Sequence, residues 1–206
     1  MRYNPEKHHR RSIRLKGYDY SMPGAYFITI CTNNRECLFG EIIDGEMKLN
    51  DAGRMIERWY FELANKFLDI QCDEFVIMPN HFHCIIIIVE TDINVGADLS
   101  VCPIDKRQSH RIAPTPTSSS IPRVVQWFKT MTTNEYIRNV KQNNWIPFIR
   151  RLWQRNYYEH IIRNDKSLDK IRQYIINNPL KWEMDFENIN NVKEYKDPNE
   201  YYKKIL

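Results

Sequence analysis

The chain has 206 residues, of which 42% are hydrophobic and 27% charged, and its formal net charge is +4. The length suggests one domain or one domain with extensions, and the composition is that of an ordinary soluble protein. The longest apolar run, Cys84 to Val89, is far shorter than the roughly 20 residues of a membrane span, and no apolar secretory signal opens the sequence. We therefore expect a cytoplasmic protein. Its five cysteines include no CxxC pair, which argues against a disulfide framework or a cysteine zinc site.

Basic side chains crowd the N-terminal end, and others recur through the second half of the chain. We predict a basic arm over residues 1–23, because clustered lysines and arginines can neutralise phosphates and release counterions. A solvated charged surface is an equally good interpretation of any single residue. The candidate nucleic-acid contacts are Arg10, Arg11, Arg14, Lys16 and Arg155.

The first third of the chain predicts a strand, a hairpin and a helix. Residues 24–32 follow a Pro-Gly turn signal and are rich in β-branched and aromatic side chains, which favours a strand. Residues 37–50 carry Asp44-Gly45 between short apolar runs, the pattern of a hairpin. Asn50 or Asp51 then caps a helix. Its apolar positions are Ile56, Trp59, Tyr60, Leu63 and Phe67.

Two strand-like runs follow, 71–78 and 81–89, with only Pro79 and Asn80 between them. So short a connection allows only antiparallel neighbours. The second run is apolar after its start, so we expect a central strand that is buried on both faces. Residues 92–120 are rich in proline, serine and threonine and predict a long insertion, either functional or tolerated at an edge.

The second half begins with a helix that Ser120 caps and Pro122 helps to start. Residues 153–162 predict a strand, and Asp165 or Ser167 begins another helix that Pro179 ends. Residues 24–182 therefore predict an α+β domain of the ferredoxin-like, split βαβ type. Its antiparallel sheet carries helices on one face, and the early hairpin and a C-terminal tyrosine-bearing helix are additions. The tail, residues 183–206, docks as a short helix or stays mobile.

The sharpest local signal is the run Met78-Pro79-Asn80-His81-Phe82-His83. Residues two apart on a strand point to the same face, so His81 and His83 project together while Phe82 enters the opposite layer. Two imidazoles at this spacing can share one divalent cation. Two hydrogen-bonded structural histidines are the alternative, because a bare His-x-His occurs often by chance.

A second signal is the run Tyr174-Ile175-Ile176-Asn177-Asn178-Pro179. Tyr174 and Asn178 are four residues apart, so they share a helix face and a phenol and an amide oxygen can meet one site. The alternative is an amphipathic helix whose tyrosine packs at the core edge and whose asparagine is a C-cap. Without the histidines, that alternative is the better interpretation.

Together these segments resemble the HUH single-tyrosine transposases. They are most similar to the REP-associated tyrosine transposases, which are relatives of the insertion-sequence transposases that act on single strands. The stretches that carry the resemblance are GAYFITICTNNR, FVIMPNHFHCIIII, VVQWFKTMTTNEY, LWQRNYYEHIIRN and IRQYIINNPLKW. The resemblance extends from Arg11 to Trp182, and the insertion and the tail depart from the family pattern.

The resemblance implies a metal-dependent transposase that cleaves and rejoins single-stranded, hairpin-forming DNA. It makes Tyr174 the nucleophile that forms a 5′-phosphotyrosine, and it makes His81, His83 and Asn178 the ligands of Mg²⁺ or Mn²⁺. Asn178 stands where some relatives have glutamine. Relatives act as monomers or as homodimers, so both states are open for this chain.

Four further side chains are candidates for a role in catalysis or DNA binding. Tyr157 and Tyr158 are rival nucleophiles, but they lie on the predicted last strand and not on the tyrosine helix, so packing or base stacking is the better interpretation. His160 either assists proton transfer or is a structural histidine, and the structural role is favoured. Glu159 is either a nearby acid or a surface charge.

Two other functions share this pattern. A domesticated protein would bind a DNA hairpin without cutting it, whereas a replication initiator or relaxase would share the chemistry. The joint presence of His81, His83, Tyr174 and Asn178 argues against an inactive protein, and no helicase segment is present in the sequence. A nicking assay with Tyr174→Phe as control separates cleavage from simple binding.

Overall fold

The computed structural model describes residues 17–90, 119–191 and 197–205. Its strands are β1 (Gly24–Cys31), β2 (Gly40–Ile43), β3 (Glu46–Leu49), β4 (Ile70–Ile77), β5 (His81–Ile88) and β6 (Tyr158–Ile162). Its helices are α1 (Asp51–Lys66), α2 (Ile121–Gln142), α3 (Asp165–Ile176) and α4 (Pro198–Ile205), with short 3-10 segments at Asn33–Arg35 and Pro179–Met184. The fold is therefore α+β.

The main sheet has the order β4-β5-β1-β6, and each neighbouring pair is antiparallel. This order confirms the ferredoxin-like, split βαβ prediction. Side chains on alternate sheet faces enter two separate cores. Tyr26, Ile28 and Phe82 pack with α1 and α2 on one face, whereas Phe27 and Ile85 pack with α3 on the other. Helix α3, which carries Tyr174, thus covers the sheet face opposite to α1 and α2.

Side-chain caps begin α1 and α3 where the sequence indicated, whereas Ser120 precedes α2 without a side-chain cap hydrogen bond. The Asn50 side chain accepts a hydrogen bond from the backbone N–H of Gly53 at 2.9 Å, so α1 begins at Asp51. The Asn164 side chain accepts in the same way from Ser167, and α3 begins at Asp165. The predicted hairpin is present as a separate two-stranded sheet, in which Asp44 and Gly45 have φ angles of 52° and 77°. These positive φ values at both central residues are those of a type I′ turn.

The prediction of a strand over 153–162 was wrong in its first half. Trp153 makes only an isolated bridge to Thr32, and β6 begins at Tyr158. The Nζ atom of Lys129 donates hydrogen bonds to the carbonyl oxygens of Gln154 and Asn156, both at 3.1 Å. A lysine from α2 therefore satisfies carbonyls that a sheet partner would otherwise occupy.

The structure describes little of the predicted basic arm and insertion but shows much of the predicted C-terminal tail. Residues 1–16, most of the predicted basic arm, and 91–118, most of the predicted insertion, lie outside the described residues. The C-terminal tail docks as a short helix, since Tyr202 of α4 is fully buried beside Phe27 and Ile175. Within the described ranges, no helix has both the length and the apolar character that a membrane crossing requires.

Candidate active site

The two histidines of β5 lie side by side on the sheet face that α3 covers. Their ring centroids are 4.5 Å apart, and both side chains are fully buried. Phe82, between them, enters the α1–α2 core instead. The strand alternation predicted this arrangement, and it brings two ring nitrogens of like chemistry to one place.

The tautomer of His81 follows from its neighbour Asn80. The Nδ2 atom of Asn80 donates to the carbonyl oxygens of Arg35, at 3.2 Å, and Glu187, at 2.9 Å. The Oδ1 atom of Asn80 must then face Nδ1 of His81, 2.8 Å away. Because an amide oxygen only accepts, the proton of His81 resides on Nδ1 and the lone pair on Nε2.

His83 is held from the adjacent central strand. The Oγ1 atom of Thr29 lies 2.8 Å from Nδ1 of His83. This contact leaves Nε2 of His83 directed towards α3, where the hydroxyl of Tyr174 lies 3.4 Å away. Both histidines thus use Nδ1 for orientation and present Nε2 to one space, the arrangement common among histidines that bind metals.

Asn178 reaches the same space from beyond the end of α3. The helix ends at Ile176, but Asn178 keeps helical angles, with φ −60° and ψ −42°. It therefore stays on the face of Tyr174, as the four-residue spacing predicted. Its side chain is buried, and its Nδ2 atom donates to Oδ2 of Asp185 at 3.1 Å.

The chemical character of this site fits a divalent cation. Nε2 of His81 and Oδ1 of Asn178 are buried and have no hydrogen-bond partner among the described residues. His81, His83 and Asp185 offer ligand atoms that all lie within 4.8 Å of one another. Imidazole nitrogens with amide and carboxylate oxygens are ligands for divalent cations such as Mn²⁺. Buried polar atoms without partners are costly, and a bound cation would satisfy them.

Burial also sets the charge states of the site. Desolvation lowers the pKa of His81 to about 4 and holds the pKa of His83 well below its usual value. Both imidazoles are therefore neutral at pH 7, as metal ligands must be. Burial raises the pKa of Tyr174 well above its usual value, so its phenol keeps its proton in this environment.

The sequence did not single out Asp185 or Glu187. Both follow the 3-10 segment after the tyrosine helix and are buried. Glu187 forms an ion pair with Arg35 at 2.7 Å, whereas Asp185 faces the histidines. The only signal available was the alternation Asp185-Phe186-Glu187 a few residues after the tyrosine motif, and it has no helical or strand periodicity around it.

The other sequence candidates are divided between the two sheet faces. Tyr158 and His160 pair with Thr29 and Phe27 and share the face of Tyr174, and burial lowers the pKa of His160. Glu159 pairs with Ile28 on the opposite face, away from the histidines. The ring of Tyr157 packs below Lys129, 5.3 Å from its Nζ atom.

The candidate DNA-binding residues lie apart from this site or outside the described residues. Arg155 is exposed and lines a surface groove with Lys129 and Arg151. Residues 10, 11, 14 and 16 of the basic arm are outside the described ranges.

Two aromatic side chains near the C-terminal end of the chain, Trp182 and Tyr202, cover the histidines. Tyr202 of α4 stacks on Tyr158 with a centroid distance of 4.2 Å and lies 6.0 Å from the ring of His83. Trp182 of the 3-10 segment lies 6.0 Å from the ring of His81. These rings, with Asp185, leave the histidines and Asn178 at most 1% exposed.

The chain is similar to several known proteins, and its match to one family includes the tyrosine motif. Residues 94–178 match the model of a family described as IS200-like transposases. An uncharacterized protein of Haemophilus influenzae is 45% identical over 184 residues, which are 89% of this chain and 96% of that protein. The structure of a REP-associated tyrosine transposase bound to a REP hairpin is similar with a TM-score of 0.49, at 17% identity over 83% of this chain and 74% of that one. A protein of Deinococcus radiodurans R1, crystallised as a candidate transposase, has a TM-score of 0.40 at 15% identity, over 81% of this chain and 97% of that one.

The chain belongs to the IS200-like transposases.

Proposed function

We propose that the protein is a metal-dependent transposase that cleaves and rejoins single-stranded DNA, with Tyr174 as its nucleophile. The observation that carries this proposal is the position of the Tyr174 hydroxyl, 3.4 Å from Nε2 of His83. Nε2 of His81 and Oδ1 of Asn178 are buried in the same site, and no described residue forms a hydrogen bond with either atom. A nucleophile and a set of cation ligands therefore meet within a single chain, which favours a monomer that is complete by itself.

His81, His83 and Asn178 would hold Mg²⁺ or Mn²⁺. A bound cation would supply Lewis-acid stabilisation of the phosphate and lower the pKa of a nearby phenol. Residues of the chain orient the cation ligands and the nucleophile. Asn80 and Thr29 orient the imidazoles, and α3 presents the phenol from the other side. The raised pKa of Tyr174 keeps the nucleophile protonated until substrate and cation are both in place.

The reaction is a transesterification. The phenolic oxygen of Tyr174 forms a bond to phosphorus, the bond from phosphorus to the 3′ oxygen breaks, and the phenolic proton passes to solvent while the 3′ oxygen gains one. The product is a 5′-phosphotyrosine with a free 3′-OH. The covalent link conserves the energy of the phosphodiester bond, so another 3′-OH can rejoin the strand by the reverse reaction.

The substrate must enter a site that this conformation closes. We infer that a strand reaches the histidines beside Tyr174 only after Trp182 or Tyr202 moves, because these two rings lie against His81 and His83, which are fully buried. Hairpin-forming single strands are the proposed substrate, and the basic arm with Arg155 the proposed contacts to the backbone.

The test is a covalent trapping assay on the full chain. A pool of hairpin-bearing single-stranded oligonucleotides is incubated with the protein and Mn²⁺ or Mg²⁺, and adducts are resolved under denaturing conditions. We expect an adduct that maps to Tyr174, disappears in Tyr174→Phe and requires the cation. The matched control is Tyr157→Phe, which removes a phenol on the other side of the sheet and should keep the adduct.

Two outcomes overturn the proposal. If the wild type binds hairpins but forms no adduct with either cation, the protein is a hairpin-binding module without cleavage activity. If the adduct persists in Tyr174→Phe and maps to another tyrosine, the assignment of the nucleophile is wrong.

A further inference from the structure

The carboxylate of Asp185 is buried beside the histidines, and among the described residues it forms no ion pair with a lysine or arginine. Its two hydrogen-bond donors are neutral: Nδ2 of Asn178 at 3.1 Å and the backbone N–H of Glu187 at 2.6 Å. The guanidinium of Arg35, whose charge acts on Asp185, forms its ion pair with Glu187 instead. A buried carboxylate that no cation neutralises is unfavourable, so a cation bound next to Asp185 would stabilise its charged form.

The neighbours of Asp185 show where that charge would lie. Nε2 of His81 and Oδ1 of Asn178 are buried and have no hydrogen-bond partner in the described part of the chain. Ligand atoms of Asp185, His81 and His83 lie within 4.8 Å of one another. A carboxylate with two hydrogen bonds still has lone pairs to offer, because its oxygens provide about four acceptor sites. One small cation can therefore contact the ligand atoms of Asp185, His81 and His83 together, and Asn178 lies next to them because it is hydrogen-bonded to Asp185.

Asp185 also fixes the amide of Asn178. Because Nδ2 of Asn178 donates to Asp185, the amide oxygen must turn away from it. That oxygen is the unpartnered atom that the proposed cation would contact. The carboxylate thus lies close enough to orient one ligand and to be another.

We propose that Asp185 is a direct carboxylate ligand of the metal centre, beside His81, His83 and Asn178. This inference rests on the proposed function, since it concerns the same cation. It adds a residue that neither the His-x-His motif nor the tyrosine helix supplies, and that lies beyond residues 94–178 of the family match. With Asp185, the ligand set carries one negative charge, whereas imidazoles and an amide alone are neutral.

The experiment measures Mn²⁺ binding to the full chain without DNA, by electron paramagnetic resonance of the free ion. We expect one site per chain and a loss of affinity of at least tenfold in Asp185→Asn, which keeps the volume and an acceptor oxygen. The matched control is Glu187→Gln, which removes an equal buried charge two residues away and should change the affinity less than threefold. Thermal unfolding in a chelator checks that both variants fold.

A double-mutant comparison separates a ligand from a residue that only orients Asn178. If Asp185 acts solely through Asn178, then Asp185→Asn has no further effect on Mn²⁺ affinity in an Asn178→Ala background. If Asp185 is a ligand, the affinity falls again by about tenfold in that background. The first result overturns the inference and leaves the proposed function intact, provided that the wild type still forms the Tyr174 adduct. A wild type that binds no Mn²⁺ and forms no adduct overturns both.

Discussion

The hydroxyl of Tyr174 lies 3.4 Å from Nε2 of His83, a residue 91 positions earlier in the chain. The two rings are 5.4 Å apart at their centroids, and Phe27 contacts both. A central strand thus holds the histidine while a helix on one sheet face presents the phenol to it.

Thr29 orients His83, and we expect Thr29→Val to weaken cation binding more than folding. The substitution keeps the volume but removes the Oγ1 atom that lies 2.8 Å from Nδ1 of His83. Losing such an orienting contact typically costs about 10- to 100-fold in metal affinity. The measurement is Mn²⁺ titration. Thr133→Val is the matched control, because that hydroxyl donates only within α2, to the carbonyl of Lys129.

If Thr29→Val and Thr133→Val bind Mn²⁺ equally well, then Thr29 does not orient a metal ligand. The free energy of unfolding should fall by about 1–3 kcal/mol in Thr29→Val, since a buried ring nitrogen loses its partner.

Asn80 fixes the tautomer of His81, and Asn80→Ala should lower both stability and cation affinity. The variant loses the acceptor for Nδ1 of His81 and the donor to two backbone carbonyls. We expect the free energy of unfolding to fall by about 2 kcal/mol or more and the Mn²⁺ affinity to fall by about 10-fold or more. Asn50→Ala removes a helix cap and should cost about 1 kcal/mol of stability. An equal loss of affinity in Asn50→Ala would contradict the tautomer argument.

The geometry of the site was predictable wherever it depends on local periodicity. Strand alternation predicted that His81 and His83 lie on one sheet face. The spacing of four residues predicted that Asn178 lies on the same helix face as Tyr174. Neither inference required a tertiary contact. The chain order of strands and helices then indicated the sheet that carries the histidines.

The sequence could not predict residues whose positions depend on long-range contacts. Asp185 follows a 3-10 segment with no periodic pattern, and the adjoining backbone is held by a bond from Asn80 to the carbonyl of Glu187, 107 residues away. The strand assigned to residues 153–157 failed for a similar reason. Lys129, from another helix, satisfies the carbonyls there.

The tyrosine helix is tied to the sheet by an ion pair between Arg172 and Asp73. The guanidinium donates from Nε to Oδ1 at 2.9 Å and from its terminal nitrogen to Oδ2 at 2.5 Å. This contact lowers the pKa of Asp73 below its usual value. We expect Asp73→Asn to cost about 1 kcal/mol at pH 7, because the pair is partly exposed.

The pH dependence of that cost has a definite sign. A carboxyl group whose pKa is lowered in the folded state stabilises the protein above its unfolded pKa, about 3.9, and this contribution is lost as the pH falls through the folded value. The difference in unfolding free energy between the wild type and Asp73→Asn should therefore be constant from pH 5 to pH 7 and shrink below pH 4. Urea unfolding measures it. Glu46→Gln, which breaks the exposed pair with Lys48, should change stability little at any pH.

Tyr202 is buried in the core of α3 and α4, but within the described residues its hydroxyl has no hydrogen-bond partner. Burying a hydroxyl without a partner is unfavourable, so Tyr202→Phe should raise the free energy of unfolding by about 1 kcal/mol. Tyr60 is the matched control. Its buried hydroxyl donates to the carbonyl of Ile85 at 2.6 Å, so Tyr60→Phe should lower the stability by about 1–2 kcal/mol. Urea unfolding in a chelator gives both values. A loss of stability in both variants would contradict the conclusion that the buried Tyr202 hydroxyl has no partner among the described residues.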